Sequence, residues 1–81
     1  MRSAHLVGIC GTGMKALAEL LTDRGCCVSG SDQTHPVNVV HSLRDRGVEV
    51  FHGHDEAVVP RDADVLVFSP AVGPENPERR L

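Results

Sequence analysis

The sequence predicts an α/β fold, namely a half-Rossmann-like parallel sheet of about four strands with flanking helices. Three observations lead to this prediction. Apolar, strand-like stretches alternate with helical patterns, and a glycine cluster follows the first stretch. The phrase Leu-x-Asp-Arg-Gly-x-x-Val also occurs twice, at residues 21–28 and 43–50, where a helix would end and a strand begin. Strands that alternate with helices are typical of βαβ units with right-handed crossovers.

The first half of the chain predicts a strand, a helix and a second strand. Residues 5–10 are short and mostly apolar and run into the glycine cluster, which suits a buried parallel strand. Apolar residues then recur at helical spacing on one face, at Met14, Leu17, Ala18 and Leu21. Gly25 fits the position just after a helix, where a left-handed conformation is common, and a second strand follows over 26–32.

The cycle then repeats. Pro36 suits the first turn of a second helix, with Thr34 or His35 as its cap. Gly47 ends that helix, and residues 48–51 alternate as a third strand should.

The last part of the chain predicts a loop with one short helical turn and then a fourth strand over 64–69. A further helix begins near Pro77, with few residues after it. We therefore expect residues 1–81 to form a single domain, a truncated fragment cut inside or just after a half-Rossmann domain of a longer protein.

Composition narrows the class of protein. The net charge of −3 gives no basic footprint, so a nucleic-acid partner is not expected. A membrane-spanning helix needs about 20 apolar residues, and no apolar run in this sequence is nearly that long. The N-terminus also lacks a signal-peptide pattern. We therefore expect no membrane partner and a cytoplasmic location. Three cysteines, two of them adjacent, predict reduced, buried side chains rather than disulfides, and no metal site is expected.

The glycine cluster reads Gly-Ile-Cys-Gly-Thr-Gly over residues 8–13. A strand-to-helix turn of this kind can present backbone N–H groups and the helix dipole to a phosphate. The dinucleotide fingerprint Gly-x-Gly-x-x-Gly matches at Gly8 and Gly13 but not at Cys10, although Gly11 can give the same close approach in a shifted register. The alternative is a turn whose glycines serve only tight helix–strand packing.

Asp32 ends the second predicted strand, nineteen residues after Gly13. In Rossmann units an acidic residue there accepts hydrogen bonds from ribose hydroxyls. An Asp can equally order the Ser-Asp-Gln-Thr turn that contains it, and both roles can hold at once.

Four motifs in order resemble the N-terminal domain of the Mur ligases: "HLVGICGTGMKALAELL", "VSGSD", "FHGHD" and "DVLVFSPAVGPENPE". The resemblance covers essentially the whole chain. It implies that the domain binds the UDP part of a UDP-N-acetylmuramyl substrate. By position, the backbone of Gly11, Thr12, Gly13 and Met14 would cradle the diphosphate, Ser31 and Asp32 would meet the ribose or uracil, and His54, Ser69 and Ala71 would close the pocket.

The resemblance also implies an ATP-dependent amide ligase of peptidoglycan synthesis and cell-wall biogenesis. That reaction needs ATP, Mg²⁺ and a Gly-x-x-x-x-Gly-Lys-[Ser/Thr] loop, whereas the only lysine here is Lys15, in the first helix. We therefore expect this domain to hold no cofactor and no catalytic residue, and to bind substrate for a three-domain ligase whose central and C-terminal domains are missing. The alternatives are an NAD(H)-binding regulatory or redox module and a structural domain with a vestigial pocket.

Overall fold

The computed structural model describes residues 2–69 and residue 77. Its elements are β1 (Ser3–Val7), α1 (Thr12–Asp23), β2 (Cys27–Asp32), α2 (Val37–Asp45), β3 (Glu49–His52), a single 3-10 turn (Glu56–Val58) and β4 (Val65–Phe68). The helix expected to begin near Pro77 lies, apart from Pro77 itself, outside the described residues.

The four strands form one parallel sheet in the order β3-β2-β1-β4, which confirms the predicted α/β class. The register aligns the carboxyl ends of the strands. Val7 in β1 is opposite Ser31 in β2 and Phe68 in β4, and Asp32 is opposite His52 in β3. The loops that leave β1, β2, β3 and β4 therefore start from the same rim of the sheet, which we call the carboxyl rim.

Both helices pack against one face of the sheet. Their apolar stripes meet alternate residues of the strands in a single core, which contains Ala4, Leu6, Ile9, Met14, Ala18, Leu21, Val28, Val40, Leu43, Val48 and Val50. The opposite face also has buried residues, among them His5, whose Nδ1 lies 2.7 Å from the hydroxyl of Ser29. A helix pair on one face is the outcome that right-handed crossovers in one direction dictate.

The repeated phrase encodes the same helix ending twice. After α1, the N–H of Cys26 donates to the carbonyl of Leu21 at 3.0 Å, and the N–H of Gly25 donates to Thr22. After α2, Val48 donates to Leu43 and Gly47 to Arg44 in the same pattern. The two glycines have φ of 84° and 88°, the left-handed conformation that the Schellman motif requires.

Two predicted boundaries beside loops are wrong, and the other strand bounds differ by one or two residues. β1 ends at Val7 rather than at residue 10, because Gly8 adopts φ of 86° and turns the chain. Pro36 is the cap of α2 rather than a residue of its first turn, and neither Thr34 nor His35 caps the helix. The carbonyl of Pro36 accepts the first helical hydrogen bond, from Val40 at 2.9 Å, so the helix begins at Val37.

Candidate functional site

The loop between β1 and α1 is anchored to the end of β2. The amides of Gly8 and Ile9 both donate to the carbonyl of Ser31, at 2.7 and 3.0 Å. The amide of Cys10 donates to Oδ2 of Asp32 at 2.9 Å, and Gly11 donates back to Gly8 at 3.1 Å. The first four amides of the loop are thus all paired within the protein.

The next three amides along the chain are not paired. Within the part of the chain that the structure describes, the N–H groups of Thr12, Gly13 and Met14 have no hydrogen-bond acceptor, and Gly11 has no side chain to cap them. Gly11, Thr12 and Gly13 are exposed, whereas the Met14 side chain is buried in the core. The first turn of α1 has no acidic residue to occupy these donors. Three open amides at a helix N-terminus form a site suited to an anion.

The glycines of the loop are not explained by packing. A Cβ built on Gly13 meets nothing within 4 Å, and one on Gly11 would touch only the carbonyl of Gly8, at 3.4 Å. The packing glycine is instead Gly30 in β2, where a Cβ would lie 2.5 Å from Cδ1 of Ile9. The sequence analysis missed this residue, although a glycine inside a strand pattern often marks a close approach.

Asp32 uses both carboxylate oxygens within the protein. Oδ2 accepts from the Cys10 amide, and Oδ1 accepts from the amide and the hydroxyl of Thr34, each at 3.0 Å. The expectation that Asp32 orders the turn after β2 is therefore confirmed. The expected contact with ribose remains a prediction.

Ser31 and His54 are brought together at the carboxyl rim. The hydroxyl of Ser31 lies 2.8 Å from Nδ1 of His54, and the amide of Gly53 donates to the carbonyl of Asp32 at 2.7 Å. Ser31 is fully buried and His54 is partly exposed, so His54 is the member of the pair nearer to solvent.

Ser69 follows β4 at the same rim and donates its amide to the carbonyl of Val7 at 3.0 Å. The predicted site residues from Gly11 to Ser69 thus lie at or just after the carboxyl ends of the strands, along one rim. Ala71, the remaining predicted site residue, lies outside the described residues.

Cys10 is not an activated thiol. Burial raises the pKa of the Cys10 thiol, and the negative charge of Asp32 raises it further. None of the three cysteines is in a disulfide. Cys27 is exposed and Cys10 and Cys26 are half-buried, so the expectation of buried side chains is wrong for Cys27 and only partly met by the other two. Cys27 is the first residue of β2 and follows closely after the exposed turn at Gly25.

The two histidines of the His-x-His sequence have separate partners. Nε2 of His52 lies 3.1 Å from the carbonyl of Gln33 and its ring stacks on His35, whereas His54 pairs with Ser31. Over residues 2–69 and residue 77, no three His, Cys, Asp or Glu side chains are grouped as a metal site would require. The same residues include no helix with the length and apolarity needed to cross a bilayer.

A parallel sheet whose first strand runs through a glycine loop into an open helix N-terminus is the arrangement of Rossmann-like α/β domains. The sequence pattern described as "Mur ligase family, catalytic domain" matches residues 3–80. The chain belongs to the Mur ligase family, which confirms the resemblance inferred from its motifs.

Individual relatives agree with this assignment. The chain is 45% identical over 78 residues to the UDP-N-acetylmuramate–L-alanine ligase of Sulfurihydrogenibium sp. (strain YO3AOP1), a match that covers 96% of this chain and 17% of that protein. It is 47% identical over 78 residues to the UDP-N-acetylmuramate–L-alanine ligase of Acidithiobacillus ferrooxidans (strain ATCC 53993), with 96% of this chain and 16% of that protein covered.

Two solved structures share the fold. The murein peptide ligase of Psychrobacter arcticus 273-4 superposes with a TM-score of 0.85 at 31% identity, over 93% of this chain and 16% of that one. The UDP-N-acetylmuramate:L-alanyl-gamma-D-glutamyl-meso-diaminopimelate ligase of Neisseria meningitides superposes with a TM-score of 0.89 at 30% identity. This match covers 99% of this chain and 25% of that one. The chain therefore spans between 16% and 25% of the length of these four relatives.

Proposed function

We propose that this chain binds the UDP part of a UDP-N-acetylmuramyl substrate, with the diphosphate on the open amides of Thr12, Gly13 and Met14. The observation that carries the proposal is that these three donors, at a helix N-terminus, have no acceptor among the described residues, while the four preceding amides are paired. The helix dipole adds a partial positive charge at the same place. No lysine or arginine is needed for such a site, and the nearby Lys15 is already paired with Glu19 at 3.3 Å.

The names of the relatives support the same substrate. Two are UDP-N-acetylmuramate–L-alanine ligases, and one solved structure is a ligase that joins UDP-N-acetylmuramate to a tripeptide. The acceptors differ, but UDP-N-acetylmuramate is common to these names. A domain shared by all of them is suited to the shared substrate rather than to either acceptor.

The proposal extends to the whole protein. It is the N-terminal domain of a cytoplasmic, ATP-dependent amide ligase of peptidoglycan synthesis, in which ATP and Mg²⁺ act in the central and C-terminal domains. Within this chain, Gly11 shapes the approach to the diphosphate, and Ser31, His54, Ser69 and Ala71 surround the nucleoside end. The 81 residues alone bind and orient the substrate.

The test removes a single N–H donor from the proposed cradle. Thr12 is the first residue of α1, where proline is well tolerated because its missing N–H breaks no helical bond. Gly11 before it has φ of −64° and ψ of 151°, the extended conformation that a following proline requires. Thr12→Pro therefore deletes one amide donor without disturbing the helix, and Thr12→Ala is the matched control that keeps the amide.

Calorimetric titration with UDP-N-acetylmuramate measures the effect. A hydrogen bond to a charged group contributes about 1.5–3 kcal/mol, so Thr12→Pro is expected to weaken binding roughly ten- to a hundred-fold, and Thr12→Ala much less. Equal affinity of the two variants would place the diphosphate elsewhere.

A parallel titration with NAD tests the alternative of an NAD(H)-binding module, which no relative described above supports. Cys10 stands where that module would need a glycine, and both oxygens of Asp32 are already used. Heat from NAD with none from the UDP sugar would reverse the proposal. No heat from either ligand would indicate a vestigial pocket.

A further inference from the structure

We infer that Asp32 is a positioning residue, which fixes the loop before α1 through the Cys10 amide rather than by touching the nucleoside. The inference rests on the proposed function, since it explains how the diphosphate site is held ready. It differs from the ribose contact expected from the sequence, because it assigns the carboxylate to the protein rather than to the ligand.

The hydrogen bonds divide the amides of the loop into two sets. Those of Gly8 and Ile9 turn toward the carbonyl of Ser31, and that of Cys10 turns toward Oδ2 of Asp32 at 2.9 Å. The second set, the amides that have no acceptor, begins two residues later, at Thr12. Because the Cys10 contact is the last one to β2 before the helix starts, it fixes the direction from which the open amides emerge.

The donors around Asp32 require a carboxylate. Three N–H or O–H groups converge on it: the Cys10 amide on one oxygen, and the amide and hydroxyl of Thr34 on the other. An asparagine has one acceptor oxygen, and its NH₂ group would face a donor on one of the two sides. The requirement for two acceptors therefore arises from the protein alone.

The negative charge of Asp32 has a cost at the proposed anion site. A carboxylate beside an anion site repels the anion, so the charge of Asp32 by itself opposes a diphosphate on the neighbouring amides. The charge of Asp32 also influences the neighbouring Cys10, where it adds to the effect of burial in raising the pKa of the thiol. The inference therefore requires that the order Asp32 gives to the loop outweighs the repulsion between its charge and the diphosphate.

The experiment compares ligands that contain the diphosphate with one that does not. Wild type and Asp32→Asn are titrated with inorganic pyrophosphate, UDP and uridine, and ³¹P and ¹H NMR follow the binding. Asp45→Asn is the matched control, because it removes the same charge from an exposed position at the end of α2, away from the carboxyl rim. Thr34→Val removes one donor to Oδ1 and leaves both Asp32 and the Cys10 amide in place.

A positioning role predicts that Asp32→Asn weakens pyrophosphate and UDP by the same factor, roughly tenfold or more, and speeds hydrogen exchange of the Cys10 amide. Thr34→Val should produce a smaller loss in the same direction for both ligands, and it keeps the test informative if Asp32→Asn does not fold. Asp45→Asn should bind both ligands as wild type does.

Two results would overturn the inference while leaving the proposed function intact. Weaker UDP and uridine binding with unchanged pyrophosphate binding would make Asp32 a direct nucleoside contact. Pyrophosphate binding that is unchanged or tighter in Asp32→Asn would show that the carboxylate only repels the anion. Failure of the wild-type chain to bind pyrophosphate and UDP would instead overturn the proposed function together with this inference.

Discussion

A methyl group added at Gly30 and one added at Gly13 are expected to have opposite effects on stability. At Gly30 the new Cβ would lie 2.6 Å from the carbonyl oxygen of Leu6, which is backbone and cannot move aside. Overpacking of this kind costs about 1–3 kcal/mol. At Gly13 the space is open and the residue is helical, so Gly13→Ala should gain about 0.4–1 kcal/mol.

Urea unfolding of the two alanine variants against wild type measures this contrast. The Gly30→Ala midpoint should fall and the Gly13→Ala midpoint should hold or rise. Equal losses in both would mean that Gly13, too, is packed against the fold, and the open-amide site would lose its free space.

The Cys10 thiol is expected to react slowly. Its pKa is raised by burial first and by the charge of Asp32 second, so a smaller fraction is thiolate at any given pH. Mass-spectrometric alkylation with iodoacetamide should modify the exposed Cys27 before Cys10, and the Cys10 rate should reach its half-maximum above the usual thiol range. Asp32→Asn removes the second cause and should shift that midpoint downward. A midpoint for Cys10 below the usual thiol range would contradict this.

The sequence predicted single residues well where one local rule applies. Gly25 and Gly47 follow from the helix-stop pattern, and the Asp32 turn follows from Asp chemistry. A glycine inside a strand pattern marks Gly30 as a point of close approach, but no local rule identifies its partner Ile9, which lies 21 residues earlier in the chain. The same holds for the Cys10–Asp32 contact across 22 residues. Both depend on the parallel register, which only the folded sheet defines.

At the scale of elements, the start of β1 is held by Asp64, just before β4. Its Oδ2 accepts from the amides of Arg2 and Ser3, at 2.8 and 3.1 Å. These hydrogen bonds, that from Arg2 first, lower the pKa of the Asp64 carboxyl. A lowered folded-state pKa means that this group stabilises the fold above its unfolded pKa and stops doing so as the pH falls.

Thermal unfolding of wild type and Asp64→Asn across acid pH tests this link between the two strands. Wild type should be more stable at neutral pH, and the difference should shrink as the pH falls below about 4. Asp62→Asn, exposed in the same loop, is the control. A difference that persists undiminished into strong acid would show that the carboxylate charge is not what joins β1 to β4.

Element boundaries were predicted less well than element types. The apolar run 5–10 predicts one continuous strand. The strand ends at Val7 because the next two amides, of Gly8 and Ile9, both donate to the carbonyl of Ser31. The apolar side chain of Ile9 still enters the core, so hydrophobicity alone cannot separate a strand residue from a buried turn residue. The helix stops were predicted correctly because Gly and its neighbours specify the Schellman motif locally.

At the scale of the whole molecule, the parallel topology separates binding from structural support. The loops that leave the strands lie at the carboxyl rim, with the open amides of Thr12–Met14. The glycine turns at Gly25 and Gly47, which end the helices, lie at the opposite end of the sheet together with Asp64. A ligand at the carboxyl rim should therefore act on one end of the domain and leave the other unchanged.

Amide hydrogen exchange with and without UDP tests this separation. Saturating UDP should slow exchange at the amides of residues 12–14, which now lack an acceptor, and at the loop after β3 that contains Gly53. Exchange at Cys26, Gly47 and Asp64 should stay as it is in the free chain, because those amides lie at the opposite end of the sheet from the ligand. Thr12→Ala, which keeps the amide, should show the same protection. Uniform slowing over both ends would indicate global stabilisation by mass action, and protection confined to the far end would move the binding site away from α1.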